Sequence, residues 1–279
     1  MAASKRCTVS AVLLTILAVG GAVSAASAPR PFFPEKVRRH WTGYDPMIVG
    51  GDVIDIKQAP YQLSLQMYDS HICGASIISK TFVLTAGHCA AAGITPSNGK
   101  VRAGTTTREQ GGVVYDLVRV TTNPKYDSST VDFDVAVLEI AGSFELDETR
   151  AIVALPAAGE PEPAGSFLTV SGWGRTHEGY GGGALNLRAV RLVGLSSAAC
   201  RLVYGGGLTE RMLCAARSGA DSCQGDSGGP LVHRDAAGNA KLVGVVSWGY
   251  GCARKGVPGI YSRVSHPDLR AFIQKVSGV

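Results

Sequence analysis

The stretch DVAVLEI, residues 134–140, has the form of a buried β-strand that begins at an aspartate. Short apolar runs of this kind, rich in β-branched residues and bounded by Gly, Pro, Asn or Asp, recur on both sides of it. They include YQLSLQM (61–67), TFVLTA (81–86), VVYDLVRV (113–120), SFLTVSGWG (166–174), KLVGVVSWG (241–249) and GIYSRV (259–264). Strands at this spacing, with few helical patterns between them, predict an all-β fold of barrels or sandwiches.

Two segments interrupt the strand pattern in the second half of the chain. The 232 residues from Ile48 onward are enough for two small β domains or one large one, and LPAAGEPEPAGS, residues 155–166, rich in proline and glycine, is where a break between two domains would fall. Near the C-terminus, SHPDLRAFIQKVSG (265–278) has a proline where a first helical turn would begin. One face of that helix would carry Leu269, Phe272, Ile273 and Val276. This pattern predicts a short closing helix at about 266–277.

The first 47 residues have the pattern of processed segments. Lys5 and Arg6 precede an apolar run at 9–23 that ends in small residues, so residues 1–25 are predicted to be a secretory signal peptide. A membrane anchor is the alternative, but the run is short for a span of about 20 residues. Residues 26–47 have prolines, scattered aromatics and no apolar periodicity, which predicts an irregular spacer. We therefore expect a secreted protein with no membrane-spanning segment.

The formal net charge of +5 is concentrated at the N-terminus. Residues 1–47 carry +4 of it, which leaves +1 for the rest of the chain. No lysine or arginine cluster longer than the Arg254–Lys255 pair follows, so no nucleic-acid partner is predicted. The glycine-rich stretch HEGYGGGALN (177–186) lacks the strand–G-x-G-x-x-G–helix context of a nucleotide site and is predicted to be a surface loop.

The cysteine content agrees with export to an oxidising compartment. One of the seven cysteines lies in the predicted signal peptide, which leaves an even number for disulfides: Cys73, Cys89, Cys200, Cys214, Cys223 and Cys252. Their spacing alone leaves about 15 pairings open. A zinc site is the alternative, but no C-x-x-C pair or H-x-x-x-H pattern is present. Three disulfides are therefore predicted.

The stretch DSCQGDSGGP, residues 221–230, raises the possibility of a nucleophilic serine at Ser227. A glycine-rich turn would account for the same composition. A nucleophile also needs a histidine base, and the histidines after Ile48 are His71, His88, His177, His233 and His266. His88 is the best candidate, because it follows the strand in FVLTAGHC and a disulfide at Cys89 would fix the backbone beside it. His71, by contrast, lies in a polar turn.

The base in turn needs a buried carboxylate to orient it. Asp134 begins the strand at 134–140, and Asp132 lies two residues earlier on the same face of an extended chain. Both could equally be solvated residues at the start of a strand. Periodicity does not separate the two aspartates.

Six motifs occur in the order found in trypsin-like serine proteases of the chymotrypsin fold. They are IVGG (48–51), LTAGHC (84–89), DVAVL (134–138), SGWG (171–174), DSCQGDSGGP (221–230) and SWGYGCARKGVPGIYSRV (247–264). From Ile48 to Val279 the chain resembles a trypsin over essentially its whole length. The resemblance implies an all-β protease domain at 48–279 with two six-stranded antiparallel barrels, at about 48–155 and 156–265, and an active site in the cleft between them.

The resemblance also implies the roles of the candidate residues. Ser227 would be the nucleophile, His88 the base and Asp134, rather than Asp132, the orienting acid. The N–H groups of Gly225 and Ser227 would form the oxyanion hole. The implied disulfides are Cys73–Cys89, Cys200–Cys214 and Cys223–Cys252, similar to the reduced set of invertebrate and microbial trypsins.

The implied specificity is for a basic side chain. Asp221 matches the floor of the primary pocket, where a buried carboxylate requires a cation and so selects Arg or Lys. Gly249 and Gly259 match the pocket walls, and the main chain from Ser247 to Gly249 would pair with an extended substrate. The expected partners are protein or peptide substrates cleaved after these residues.

The resemblance further implies a zymogen. Cleavage between Met47 and Ile48 would free an α-amino group that pairs with Asp226. Met47 departs from the Arg or Lys usual at this position, so self-activation is not expected. A different protease would cut there, or cleavage at Arg38 or Arg39 would be followed by trimming.

The remaining expectations concern metals and assembly. AGTTTREQGGVVYD (103–116) lacks the pair of glutamates that flank the calcium loop of vertebrate trypsins, so no metal is predicted, and no cofactor either. We expect a monomer that meets an activating protease and protein inhibitors. The alternative function is a non-catalytic serine protease homologue that serves as a binding or regulatory module, although all three triad residues are present.

Overall fold

The computed structural model describes residues 51–175, 182–219 and 221–279. The predicted signal peptide and spacer, together with Met47, Ile48 and His177, lie outside the described residues. In the described ranges no helix is both long and apolar enough to cross a membrane.

Most of the regular structure in these ranges is β-strand. In chain order the strands are β1 (Asp52–Val53), β2 (Gln62–Met67), β3 (Ser70–Ile77), β4 (Phe82–Thr85), β5 (Gly99–Ala103), β6 (Val113–Thr122), β7 (Ala136–Ile140), β8 (Phe167–Gly172), β9 (Arg188–Leu195), β10 (Met212–Ala216), β11 (Pro230–Arg234), β12 (Ala240–Trp248) and β13 (Gly259–Arg263). The helices are α1 (Gly87–Ala91), α2 (Ser197–Tyr204) and α3 (Pro267–Ser277), with short 3₁₀ turns at Ile56–Gln58 and Gly205–Gly207.

The first barrel closes in the strand order β2-β3-β4-β7-β6-β5, and every neighbouring pair is antiparallel. Successive side chains of a strand point to opposite faces, so every second residue fills the barrel interior. In β5 the residues Gly99, Val101 and Ala103 are buried, and those between them are partly exposed. β7 is paired along both edges, with β4 on one side and β6 on the other. It begins two residues after the predicted start at Asp134, because the Val135 N–H bonds locally to the Phe133 carbonyl at 2.8 Å and not to a neighbouring strand.

The second barrel is formed by β8, β9, β10, β13, β12 and β11, and the pairing of β8 with β9 closes the ring. β1 adds to β9 from outside. The predicted pair of six-stranded barrels is therefore confirmed. The segment from 141 to 166, which contains the proline-rich stretch, connects β7 to β8 and contributes no barrel strand.

The predicted C-terminal helix is also confirmed. α3 begins at Pro267, and the side chain of His266 caps it by accepting the Asp268 N–H at 3.3 Å. Leu269 and Ile273 are fully buried in the core cluster that contains the first-barrel residues, and Phe272 and Val276 pack against it. The helix therefore adds apolar burial, worth roughly 2 kcal/mol for each fully buried side chain of this size.

The disulfides join the pairs that the resemblance implied: Cys73–Cys89, Cys200–Cys214 and Cys223–Cys252. The first links β3 to α1, and the third links the segment before β11 to the segment before β13. Both flank the place where the barrels meet. There Gly74 approaches Gly229 so closely that a Cβ at Gly74 would lie 2.7 Å from the Gly229 Cα.

Candidate active site

His88 and Asp134 form a directly bonded pair. The Asp134 Oδ1 accepts the backbone N–H of His88 at 2.7 Å, and its Oδ2 lies 2.8 Å from the His88 Nδ1. Since a carboxylate only accepts, Nδ1 carries the proton in this contact and the lone pair of neutral His88 is on Nε2. The Asp134 side chain is fully buried and that of His88 is 28% exposed, so the ring reaches the surface from a buried support.

Two hydroxyls of the second barrel fix Asp134 from behind. Ser247 of β12 donates to Asp134 Oδ2 at 2.5 Å, and Ser262 of β13 donates to the Asp134 carbonyl at 2.7 Å. Ser247 had been assigned only a main-chain role in the sequence, and Ser262 none. Neither β-strand position has a local signal for this contact, because the partner lies more than 100 residues away in the chain.

Asp132, the competing acid, has a different set of partners. Its carboxylate accepts a two-pronged contact from Arg211 and a hydroxyl from Thr209, and no bond to His88 is present. The geometry therefore separates the two aspartates that periodicity left unresolved.

Ser227 lies in a loop that is clamped to both barrels. Its carbonyl accepts the Gly74 N–H of β3 at 2.7 Å, and the next residue, Gly228, donates to Val246 of β12 at 2.8 Å. Gly228 has a φ of 77°, and a Cβ there would lie 2.2 Å from the Thr85 Oγ1, so only glycine fits. Through Gly74 the loop is held beside Cys73, whose disulfide partner Cys89 follows His88.

The loop that ends at Ser227 contains the two predicted oxyanion donors. Gly225 has a φ of 97°, which favours glycine. Within the described part of the chain, the N–H groups of Gly225 and Ser227 donate to no protein acceptor. Both predicted oxyanion donors are therefore free for a ligand.

His71 holds this loop from the first barrel. Its Nε2 lies 3.0 Å from the Gly225 carbonyl, its Nδ1 lies 2.9 Å from the Ser64 Oγ, and its ring packs edge-on to Trp173. A carbonyl only accepts, so the proton is on Nε2. Burial lowers the pKa of His71 to about 4, which keeps the ring neutral. His71 lies in β3, so its interpretation as a residue of a polar turn was wrong. Nothing local in the sequence indicated its contact with this distant carbonyl.

Asp221 forms the floor of a cavity of about 200 Å³ that Ser227 also borders. Burial raises the pKa of Asp221 to about 7, although the N–H groups of Ala253 and Ser222 oppose the shift. No described lysine or arginine forms an ion pair with it. A Cβ at Gly259 would lie 2.6 Å from the Asp221 Oδ1, so glycine keeps the floor open. The cavity thus presents a buried carboxylate without a counter-charge among the described residues.

The opposite walls of this cavity are main chain. A Cβ at Gly249 would lie 3.9 Å from the Gly259 Cα, so side chains on these two glycines would narrow the passage to Asp221. Ser247 and Trp248 of β12 complete the wall on one side. The two glycines therefore leave this part of the cavity free of side chains.

Asp226, the second acid of the stretch, is completely buried. Its Oδ1 accepts the Gly174 N–H at 2.7 Å and its Oδ2 accepts the Cys223 N–H at 2.9 Å. Burial raises its pKa to about 6, and the two N–H donors reduce this shift. A Cβ at Gly172 or Gly174 would come within 2.2 or 2.3 Å of the carboxylate, so the SGWG motif makes room for it.

The described residues contain one cluster with metal-ligating atoms, made of Cys73, His88 and Cys89. Both cysteines are in a disulfide, so their sulfurs are not thiolate ligands. In the hairpin between β5 and β6, the Thr105 hydroxyl bonds to Gln110, and Glu109 accepts the His71 N–H at 3.2 Å. The absence of structural calcium stays a prediction.

Two closed antiparallel barrels, with a histidine hydrogen-bonded to a buried aspartate and a serine held in a loop bonded to both barrels, define a hydrolase of the chymotrypsin fold. A family model described as Trypsin matches residues 48–273. Trypsin 5G1 of Aedes aegypti is 44% identical over 237 residues, which cover 83% of this chain and 85% of that protein.

Two further relatives agree. The vitellin-degrading protease of Bombyx mori is 37% identical over 235 residues (83% of this chain, 86% of that protein). A trypsin of Simulium vittatum is 41% identical over 223 residues (77% and 87%). The chain belongs to the trypsin family and is a serine endopeptidase. No finding favours the non-catalytic alternative.

Proposed function

We propose that this protein is a secreted zymogen whose mature form hydrolyses peptide bonds after Arg or Lys. Ser227 is the nucleophile, His88 the general base and Asp134 the acid that orients it. One observation carries the proposal: Asp134 holds His88 by two hydrogen bonds, and Ser227 borders the cavity whose floor is Asp221.

In the first half of the reaction, the Ser227 Oγ attacks the peptide carbonyl and its proton passes to the His88 Nε2, the nitrogen that the Asp134 contact leaves unprotonated. Collapse of the tetrahedral intermediate breaks the C–N bond, and the leaving amine takes the proton from Nε2. Water then attacks the acyl ester with the same base, and the proton returns to the Ser227 Oγ. Asp134 stays ionised and stabilises the imidazolium throughout.

The negative charge on the intermediate falls to the N–H groups of Gly225 and Ser227. Their lack of a protein acceptor within the described residues supports this role. Each such donor contributes about 3 kcal/mol in comparable sites. The contact of His71 with the Gly225 carbonyl fixes the peptide plane that lies between these two donors in the chain.

The basic specificity rests on Asp221. A buried carboxylate is costly without a cation, and the glycines at 249 and 259 leave the approach to Asp221 free of side chains. The guanidinium of Arg or the ammonium of Lys would restore the missing charge. Phe or Met would leave the carboxylate buried and unpaired, so both are poor substrates.

Activation depends on Asp226. This fully buried carboxylate has two N–H donors and no ion pair with a described side chain, which leaves it able to receive a cation. The new α-amino group of Ile48, freed by cleavage after Met47, would supply that charge and order the loop from Asp221 to Ser227. Because Met47 does not suit a pocket with Asp221 at its floor, a second protease makes the cut, directly or after cleavage at Arg38 or Arg39.

The organisation that goes with this function has three parts. Residues 1–25 are the signal peptide, 26–47 the activation segment and 48–279 the protease domain, with its barrels at about 48–155 and 156–265. The partners are protein substrates, an activating protease and protein inhibitors, and the mature enzyme works as a secreted monomer.

The test compares protein that begins at Ile48 with protein that keeps residues 26–47. Both are assayed on chromogenic peptides that end in Arg, Lys, Phe or Met. We expect cleavage after Arg and Lys only, and only by the form that begins at Ile48. Ser227→Ala should abolish turnover, and Ser128→Ala in an exposed loop should not.

Two results would contradict the proposal. Turnover that survives Ser227→Ala would exclude Ser227 as the nucleophile. Equal activity of both forms would exclude activation by cleavage after Met47. Ile48→Asp in the processed form tests the buried ion pair with Asp226, and full activity of that variant would rule the pair out.

A further inference from the structure

The segment that leads into Asp134 has an unfavourable backbone. Val131 and Phe133 both have a φ of 53°, in the left-handed region. A β-branched or aromatic residue is rarely found there, because its side chain crowds the neighbouring carbonyl. Such residues persist only where the surrounding structure imposes the conformation. The two of them precede the acid that orients His88, so what holds them also determines where Asp134 lies.

The residue between them, Asp132, is bound by the second barrel. Arg211 donates from Nε at 2.8 Å to Oδ1 and from Nη2 at 2.7 Å to Oδ2, a two-pronged contact. The Thr209 hydroxyl adds a bond to Oδ1 at 2.8 Å, and so does the N–H of Phe133 itself. Both oxygens are therefore bonded, and the carboxylate is fixed in orientation as well as in position.

Arg211 makes a second contact with the same segment. Its guanidinium lies 4.3 Å from the centre of the Phe133 ring, within the range of a cation–π interaction. Lys125 also lies over this ring, but farther away, at 5.2 Å. One side chain of the second barrel thus contacts both Asp132 and the strained Phe133, the two residues before Asp134.

Arg211 is itself held by the strand that contacts Asp134. Its carbonyl accepts the N–H of Arg263, at the end of β13, at 2.7 Å. The neighbouring residue in β13, Ser262, donates to the Asp134 carbonyl. Arg211 and Ser262 therefore contact the segment from neighbouring positions that this backbone hydrogen bond joins.

The Asp132–Arg211 pair is more sheltered than an ordinary surface ion pair. The side chains are 12% and 21% exposed. Burial alone would raise the pKa of Asp132, but the Arg211 and Thr209 bonds outweigh it and lower the pKa below its usual value. The carboxylate is thus ionised at neutral pH, and the two-pronged contact is complete under assay conditions.

We infer that Arg211 is a positioning residue for the reaction: through Asp132 and Phe133 it holds the left-handed segment that places Asp134 against His88. The inference rests on the proposed role of Asp134. Without the Arg211 contact, the segment would relax toward ordinary φ values and shift Asp134 relative to its donors Ser247 and Ser262. Substrate binding would be spared, because Arg211 contacts neither Asp221 nor the loop of Gly225.

The experiment uses the mature enzyme with three variants: Arg211→Lys, Asp132→Asn and the double variant. Lysine keeps the charge of Arg211 but cannot make the two-pronged contact. Asparagine keeps the shape of Asp132 and removes its charge. The matched control is Arg119→Lys. Arg119 pairs with Glu139 between β6 and β7 on the surface of the first barrel, with its Nη2 2.7 Å from the Glu139 Oε2.

The measurements are kcat and KM on an arginine peptide and the melting temperature. The inhibition constant of benzamidine, an amidinium cation expected to bind at Asp221, is measured as a test of the cavity. A displacement of about 1 Å at a catalytic group can cost roughly 100-fold, so we expect kcat to fall about 10- to 100-fold in each single variant. KM and the benzamidine constant should stay within about threefold, since the Asp221 cavity is untouched. The double variant should be no worse than the worse single variant, because both remove the same contact. Arg119→Lys should match the unchanged enzyme.

Several results would overturn the inference. One is a kcat within about twofold of the unchanged enzyme in Asp132→Asn, the variant least disturbing to folding. Another is a fall in kcat matched by equal weakening of benzamidine, since that pattern indicates general loss of structure. Ser227→Ala and Asp134→Asn are measured alongside. If those two retain activity, the proposed function fails; if they are inactive while the Arg211 variants are normal, only the positioning role fails.

Discussion

Replacing the carboxylate at the floor of the cavity, Asp221→Asn, should convert the enzyme's strongest substrates into weak ones. Asparagine has nearly the same shape and can still accept the Ser222 N–H, which lies 2.8 Å from the Asp221 Oδ1. The cavity should therefore keep its form. What changes is the charge that faces the side chain of the substrate.

The expected size of the loss in kcat/KM follows from the environment of Asp221. Burial raises its pKa from 3.8 to about 7. Each pKa unit corresponds to about 1.4 kcal/mol, so the ionised carboxylate in the empty cavity is disfavoured by roughly 4 kcal/mol. In the complex a guanidinium offsets this cost. In the variant the guanidinium is itself buried without a counter-charge, so a loss of similar size, about 10³-fold in kcat/KM for arginine peptides, is expected.

The assay compares kcat/KM for peptides ending in Arg, Lys, Phe and Met. The Arg and Lys values should fall together, and the Phe and Met values should stay level or rise, because the buried carboxylate that opposed them is gone. Asp69→Asn is the control, since Asp69 is a 74% exposed carboxylate that pairs with Lys100. A loss of less than about tenfold for the arginine peptide would refute the assignment of Asp221 as the cation site.

Three further outcomes are expected. A cation binds the ionised form of Asp221, whose pKa in the empty cavity is about 7. The benzamidine inhibition constant should therefore be flat above pH 7 and rise about tenfold per pH unit below it. A constant value down to pH 5 would exclude Asp221 as the group that binds the cation. The pKa of His71 is lowered to about 4 from an ordinary 6.5, so its contribution to stability is complete above pH 6.5 and lost as the pH falls toward 4, by about 3 kcal/mol. The free energy of unfolding, measured with urea, should accordingly fall less with decreasing pH in His71→Gln than in the unchanged protein. An unchanged slope would contradict this role of His71. Gly228→Ala, whose Cβ would lie 2.2 Å from the Thr85 Oγ1 at a φ of 77°, should lower stability by about 3 kcal/mol or more. Gly142→Ala, with a φ of 73° and open space, is its thermal-melting control and should lose much less.

The strands could be predicted from the sequence because the information that forms them is local. Alternation and bounding turn residues marked β2, β8 and β12, and the apolar face of α3 with Pro267 before it marked the closing helix. The start of β7 was predicted two residues too early. Phe133, just before the strand, has a left-handed backbone and contacts Arg211, which is 78 positions away, and no local pattern indicates either feature.

The site was only partly predictable, for a related reason. A motif can supply a residue type, but the partner of that residue is set by the docking of distant strands. Asp134 and Asp132 share a face and a chemistry in the sequence. They are distinguished by the hydroxyl of Ser247 on one and the guanidinium of Arg211 on the other. His71 was passed over because its acceptor, the Gly225 carbonyl, is 154 residues away.

Each barrel holds a functional group of the other in place. A hydroxyl of the second barrel, on Ser247, fixes the carboxylate of Asp134 in the first. An imidazole of the first barrel, on His71, fixes the Gly225 carbonyl in the second. A small shift of one barrel against the other would therefore loosen the orienting acid and the oxyanion loop together. In the proposed mechanism the base and its acid come from one barrel and the nucleophile from the other, so neither barrel alone would contain a working site. Catalytic geometry is accordingly a property of the docked pair, and substitutions at the barrel interface should affect kcat even where they touch no catalytic residue.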